Sequence, residues 1–339
     1  MKQLATITGL ALSVSFGASS ASAENLLFNS FVPQGSIYYT HGIATFKQAV
    51  EEASGGDLTI DITPSTLAPA DAQPEMLQTG VADIAIFATS WHAEQFVLSD
   101  VSALPFSGES SEAASVATWR THEEYFAETP PFPGVKMLGF FRLTPKTMFT
   151  VDQEIKSPAD IAGLKVQTIT ANGAAIVEAL GGIAVERPQV HSYEMLNSRV
   201  VDATFTEFPS LFGFKSSELV NHVYEMPQTG VASIVAIGMN EDRFNALSEE
   251  HQAAIMSASG EVWARTIGGE WDNRMPKLRD TLTGEGATLN RASDDMLDPI
   301  KDTLDGFTAA WMEAAKGLGV DAEAARAYYL EQFEAVDAE

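Results

Sequence analysis

The chain has 339 residues, no cysteine, and 46 acidic against 20 basic side chains, for a formal charge of −26 with 45% hydrophobic and 19% charged residues. That balance is globular and excludes a disordered polyelectrolyte, a disulfide scaffold and a zinc–thiolate protein, while the length suggests two domains. A surface this negative repels phosphate backbones and anionic headgroups, and no segregated basic patch offsets it, so nucleic acid is not an expected partner.

In chain order, the first 23 residues read as an export leader. Lys2 supplies a positive start, Leu4 to Phe16 an apolar stretch, and Ala21-Ser22-Ala23 a small-residue cleavage site. The mature chain is expected to begin at Glu24 and to work in the periplasm, and no direct membrane insertion is expected because no later stretch holds about 18 uninterrupted apolar residues.

Leu26 to Phe31 has strand character, and Tyr38 to Ala53 carries Ile43, Phe46, Val50 and Ala53 at helical spacing before Gly55-Gly56 stops it. Leu58 to Thr63 alternates as a strand, Ala70 to Thr79 reads as a helix ended by Gly80, and Ile84 to Ala88 as a short buried strand. This βαβαβ order predicts parallel strands with crossover helices. His122-Glu123-Glu124 reads as the wet face of a helix. Beyond the proline-rich Thr129 to Gly134, Lys136 to Phe141 predicts a strand and Thr147 to Val151 a second apolar run. Ser157-Pro158-Ala159-Asp160 is a helix start, with a cap serine, proline at the first helical position and an acid three residues after the cap.

A second α/β set follows through the strand Leu164 to Thr168, helices Ala174 to Leu180 and Tyr193 to Asn197, and the strand Asp202 to Thr206. Val231 to Met239 predicts a further strand, and Ser248 starts a long helical stretch with a bend expected at Pro276. With no flexible linker between them, two lobes joined by more than one crossing and hinged over a cleft are expected. The expected boundaries are 24–146 plus 232–276 for one lobe, and 147–231 plus 277–339, with the C-terminal helices, for the other.

Catalytic spacing is missing. There is no His-Glu-x-x-His, Gly-x-Ser-x-Gly, P-loop, Gly-x-Gly-x-x-Gly or EF-hand pattern, and the six histidines stand singly, so neither a metal site nor a catalytic residue is assigned.

Five blocks together resemble one family. They are Gly55-Gly56-Asp57-Leu58; Met76 to Ile84 with its Gly80-Val81-Ala82-Asp83-Ile84 turn; Phe96 with Ala103-Leu104-Pro105-Phe106; Lys156-Ser157-Pro158-Ala159-Asp160-Ile161-Ala162-Gly163-Leu164-Lys165-Val166; and Val200-Val201-Asp202-Ala203. The set is similar to the periplasmic solute-binding subunits of tripartite ATP-independent periplasmic (TRAP) transporters, of the DctP type. The resemblance implies a two-lobed periplasmic-binding-protein fold without cofactor or catalysis. It also implies delivery of solute to a permease of small DctQ-type and large DctM-type membrane subunits.

Ligands of open α/β sheets sit beyond the carboxyl ends of strands, which places Ser90, Trp91, Thr147, Gln167, Asn172, Glu207 and Phe208 at the cleft. The family pattern has an arginine after Gly-Leu-Lys-Val, where this chain has Gln167, and Thr147 stands where some members have a second arginine. Glu207, boxed by Trp91 and Phe208 and aided by Gln167, would then pair an ammonium. The expected solute is a small amine, an ethanolamine-like amino alcohol or a polyol. Two alternatives stay open on the ligand and class: an organic or sugar acid held through Arg142, and a secreted α/β enzyme with its site in the cleft. A third is a periplasmic sensor that presents its closed form to a receptor.

Overall fold

The computed structural model describes residues 24–339, so the expected leader lies outside the described residues. The first sheet contains β1 (Glu24–Asn29), β2 (Leu58–Ile62), β3 (Ile84–Ala88), β4 (Val135–Arg142) and β10 (Ile234–Asn240) in the order β2-β1-β3-β10-β4. The second contains β5 (Thr147–Thr150), β6 (Lys165–Thr168), β7 (Ile183–Glu186), β8 (Ala203–Thr206), β9 (His222–Glu225) and β11 (Thr288–Arg291) in the order β11-β9-β5-β8-β6-β7. Around them lie α1 (Ala44–Ala53), α2 (Gln73–Gln78), α3 (Ser111–Thr121), α4 (Ala171–Ala179), α5 (Ser192–Asn197) and α6 (Phe208–Gly213), then α7 (Glu241–Asn245), α8 (Glu249–Ala258), α9 (Gly260–Gly284), α10 (Lys301–Gly317) and α11 (Ala322–Asp337).

The expected parallel βαβαβ unit forms: β1 pairs in parallel with both β2 and β3. One local device recurs in each lobe. The Asp83 carboxylate accepts the Leu27 N–H at 2.7 Å and the Asp202 carboxylate accepts the Lys165 N–H at 2.9 Å, so each aspartate anchors a backbone N–H of a neighbouring strand. The strand expected at Val231–Met239 is β10, and it runs antiparallel between β3 and β4, because the chain re-enters the first lobe from the cleft side.

That return makes the hinge. Residues 143–146 carry the chain from β4 to β5 and residues 226–233 carry it back from β9 to β10. The two crossings lie side by side, with Leu143 N–H donating to the Ser233 carbonyl at 2.9 Å and Lys146 N–H to the Val231 carbonyl at 2.8 Å. Helix α9 is a third link. Its Trp263, Ile267 and Trp271 enter the core of the first lobe, whereas Met275 and Leu282 enter that of the second. Pro276 lies inside this continuous helix between the two sets, where its missing N–H removes one helical hydrogen bond at the lobe boundary.

Four expectations change. The helical stretch from Ser248 is split at Gly260, whose φ of +58° and packing against Trp119, 2.4 Å from an ideal Cβ, admit no side chain. Ser157 and Asp160 form the expected capping box, but on a single 3₁₀ turn, Pro158–Ile161. His122 is not on a wet face: its ring packs 5.1 Å from Phe140 and 5.6 Å from Trp119. The C-terminal helices do not stay with the second lobe. Leu304 of α10 is buried there, but Trp311 and Ala315 join Ala322, Ala325, Tyr329 and Phe333 of α11 in a core with Ala113, Ala114 and Ala117 of α3. Small side chains on both facing surfaces permit that close helix contact.

Candidate functional site

β1, β3 and β4 run in one sense, so their carboxyl ends share the edge of the first sheet from which residues 143–146 leave, and the carboxyl ends of β6, β7 and β8 share the edge of the second sheet at which β5 begins. The dominant polar feature there is a buried ion pair. Lys146 Nζ lies 2.7 Å from Glu207 Oε1, and neither side chain is more than 1% exposed. Ser233 closes the triangle, accepting from Lys146 Nζ at 2.9 Å and donating from Oγ to Glu207 Oε1 at 2.7 Å. Thr206 and Ser210 hydroxyls donate to the other carboxylate oxygen at 3.3 and 3.4 Å. Burial by itself raises the Glu207 carboxyl, but the Lys146 charge and these hydrogen bonds outweigh it and hold the group below the usual carboxylate range. Burial and the same negative charge push the neighbouring Tyr38 phenol up.

This geometry overturns the ammonium reading of Glu207. The carboxylate already has an internal cation, supplied by a residue 61 positions earlier in the chain. A second ammonium would meet a neutral pair rather than an anion. The proposed aromatic box also comes apart. Trp91 is 46% exposed and pairs with Phe31 at 5.8 Å. Phe208 is a core residue of the second lobe, 4.9 Å from Phe149 and covered by the Arg279 guanidinium.

Gln167 is fully buried and turned inward. Its amide donates to the Arg187 and Pro188 carbonyls at 3.3 and 3.1 Å, and its oxygen accepts from the Thr204 hydroxyl at 3.3 Å. It ties β6, β7 and β8 together. Thr147 is buried at the start of β5, and Ser90 and Asn172 are exposed at the starts of their segments after β3 and β6.

Arg142 ends β4 with no exposed surface. Its Nε and Nη2 donate only to the carbonyls of Ser102 and Gly230, at 3.2 and 3.3 Å, and its Nη1 has no partner. Burial pushes this guanidinium down, and no carboxylate is hydrogen-bonded to it. Asp272, whose charge reaches Arg142, has both oxygens engaged by the Ser110 hydroxyl and the N–H groups of Ser111 and Glu112 at the start of α3. Two buried cations, Arg142 and Lys146, therefore bond to the crossings or their side chains, against one paired carboxylate, Glu207.

Sequence reasoning missed Lys146. Its one local signal is a lone cation between Pro145 and the apolar Met148-Phe149, a position that burial makes costly unless the charge is used. On the α9 side of the crossings lies a separate cavity of about 220 Å³, lined by Thr144, Thr147, Pro227, Asp272, Pro276 and Arg279 among others. Of the expected site residues only Thr147 borders it. Among the described residues no group of three or more His, Asp or Glu is placed to hold a metal ion, and no helix is long and apolar enough to cross a membrane.

Two α/β lobes, a double-stranded hinge with a spanning helix, and a polar floor at the strand ends define a protein that encloses a small solute. The chain belongs to the DctP family, bacterial extracellular solute-binding protein family 7, whose profile matches residues 28–314. It is the periplasmic solute-binding subunit of a TRAP transporter, serving DctQ and DctM membrane components, and it is not an enzyme. Among solved structures it is similar to a TRAP periplasmic solute-binding protein from Bordetella bronchiseptica with bound (R)- and (S)-mandelate. That match has TM-score 0.84 and 27% identity over 92% of this chain and 99% of the other. It is also similar to one from Desulfovibrio salexigens in an open complex, at TM-score 0.82 and 25% identity over 92% and 96% of the two chains. Among curated proteins it is 28% identical over 317 residues, 93% of both chains, to the outer membrane transporter protein TsaT of Comamonas testosteroni. The 2,3-diketo-L-gulonate-binding periplasmic protein YiaO of Escherichia coli is 24% identical over 76% of this chain and 77% of its own length.

Proposed function

We propose that the solute delivered to the permease is an organic acid with a flat apolar body, in place of the amine or polyol first expected. Arg142 carries this reading. A fully buried guanidinium with carbonyl partners only, and with Nη1 unpaired, is an arrangement that an incoming carboxylate improves by both charge and hydrogen bonding. Lys146 adds a second donor, since its ammonium carries three N–H bonds and two are taken by Glu207 and Ser233. Glu207 neutralises one of the two cations, which leaves room for one negative charge. Phe31, Trp91 and Tyr38 supply aromatic surface on the first lobe for the body of the acid. The mandelate bound to the Bordetella protein agrees with this class, and the sugar acid in the name of the Escherichia coli one agrees with its carboxylate alone.

Thermal-shift titration with aromatic and sugar acids, amines and polyols tests it. Saturation at 100 times the dissociation constant adds about 2.7 kcal/mol, which raises the melting temperature by several degrees. Acids alone should do so; a rise with ethanolamine and none with any acid rejects the reading.

A further inference from the structure

Two side chains at the ends of β6 and β7 carry buried polar atoms with nothing to bond to. Thr168, the last residue of β6, is 1% exposed, and its Oγ1 has no hydrogen-bond partner. Gln189 follows β7 on the turn Gln189–His191, and both its Nε2 and its Oε1 are buried and unpartnered. The sheet brings these residues together. β6 and β7 are parallel neighbours, the Arg187 N–H donates to the Thr168 carbonyl at 3.1 Å, and the Gln167 amide holds the Pro188 carbonyl, so Gln189 leaves its strand beside the residue that ends the next one. Strand ends of the second lobe are where a solute meets it.

Buried polar atoms in folded proteins nearly always have partners, and three orphaned atoms on two side chains at neighbouring strand ends mark a place where a partner is supplied from outside. Their chemistry limits what that partner is. A carboxamide and a hydroxyl carry no charge at any working pH, and together they offer N–H and O–H donors beside carbonyl and hydroxyl acceptors. Neither side chain offers a carboxylate a cation. A hydroxyl group, which donates one bond and accepts another, satisfies both ends of the Gln189 amide, and a carbonyl satisfies the donors.

We infer that Thr168 and Gln189 form a second polar subsite, on the β6–β7 side of the cleft, that reads an uncharged hydroxyl or carbonyl substituent of the bound acid. The inference rests on the organic-acid reading and adds to it the substituent that distinguishes one acid from another. Arg142 and Lys146 would hold the charge, and the subsite would select among acids. Sites built to bond a hydroxyl discriminate strongly against the analogue lacking it, because their own polar groups are then left unpaired.

Calorimetric titration with two matched pairs, mandelate against phenylacetate and 4-hydroxybenzoate against benzoate, tests this. In at least one pair the hydroxylated acid should bind the natural protein about tenfold or more tightly. Gln189→Leu and Thr168→Val should bring that ratio close to one. Ratios near one in the natural protein, or a ratio that survives both substitutions, overturn the subsite while leaving the acid reading intact, and a trapped water in place of ligand gives that same outcome. Binding of none of the four acids, with amines or polyols binding instead, overturns both. Melting of the ligand-free variants checks folding, and the near-isosteric Thr168→Val decides the matter if Gln189→Leu does not fold.

Discussion

Lys146 and Glu207 meet at 2.7 Å across the boundary between a hinge crossing and the second lobe, both out of contact with solvent. Losing either partner strands the other. Lys146→Met and Glu207→Gln should each destabilise the protein by about 3–5 kcal/mol, the usual cost of leaving a buried charge unpaired. The double variant Lys146→Met/Glu207→Gln should lose clearly less than the sum. Urea unfolding of the four proteins measures this, and strict additivity would show that the two groups are uncoupled.

Arg142 separates ligand binding from hinge structure. Arg142→Lys keeps a charge but loses the planar fork, so acid affinity should fall by about 10- to 100-fold, and Arg142→Met should abolish it. Titration calorimetry gives both values. Unchanged affinity in Arg142→Met would remove this residue from the site.

Two groups outside the cleft give opposite pH dependences. Burial pushes the Asp100 carboxyl from 3.8 up to about 7, so the folded state holds more protons than the unfolded chain in that window, and stability from this group falls as pH rises from about 4 to 7. Burial pushes the His122 imidazole from 6.5 down to about 4, with Lys136 adding to it, so its contribution rises with pH from about 4 to 6.5. Asp100→Asn should therefore steepen the gain in stability on leaving acid, and His122→Phe should flatten it. Unfolding midpoints at pH 4.5, 5.5 and 6.5 distinguish the two, and parallel profiles for all three proteins would refute both assignments.

Gly230 sits in the second crossing at a φ of +70°, and a Cβ there would lie 1.9 Å from the Leu104 carbonyl oxygen. Its own carbonyl accepts from Arg142 Nη2 at 3.3 Å. Gly230→Ala should cost at least about 2 kcal/mol in stability and weaken acid binding as well, because the crossing must move. A variant that melts and binds like the natural protein would show that the crossing yields without consequence.

Local signals explain what was legible. The parallel unit of β1, β2 and β3 and the Ser157–Asp160 capping box each rest on contacts between a short segment and its immediate structural neighbour. β11 was not legible, because its burial pattern of half-buried and exposed residues at a sheet edge produces no apolar run. The antiparallel sense of β10 was equally hidden, since an apolar run such as Ile234–Asn240 has the same appearance in either direction. At the site, Glu207 was correctly placed at the end of β8 and wrongly left without a cation.

The sequence by itself determined two α/β lobes, and the resemblance of its five blocks implied a DctP-type binding subunit with strand ends at a cleft. Periodicity, caps and turn residues act over a few positions and survive in the linear order. The charge state of the cleft belonged to the tertiary structure. Lys146, Glu207 and Ser233 come from three separate segments, and only folding places one cation on that carboxylate while leaving the Arg142 guanidinium without a carboxylate. Electrostatic energy depends on distance through space and on exclusion of water, and neither quantity is written in the spacing of residues along a chain.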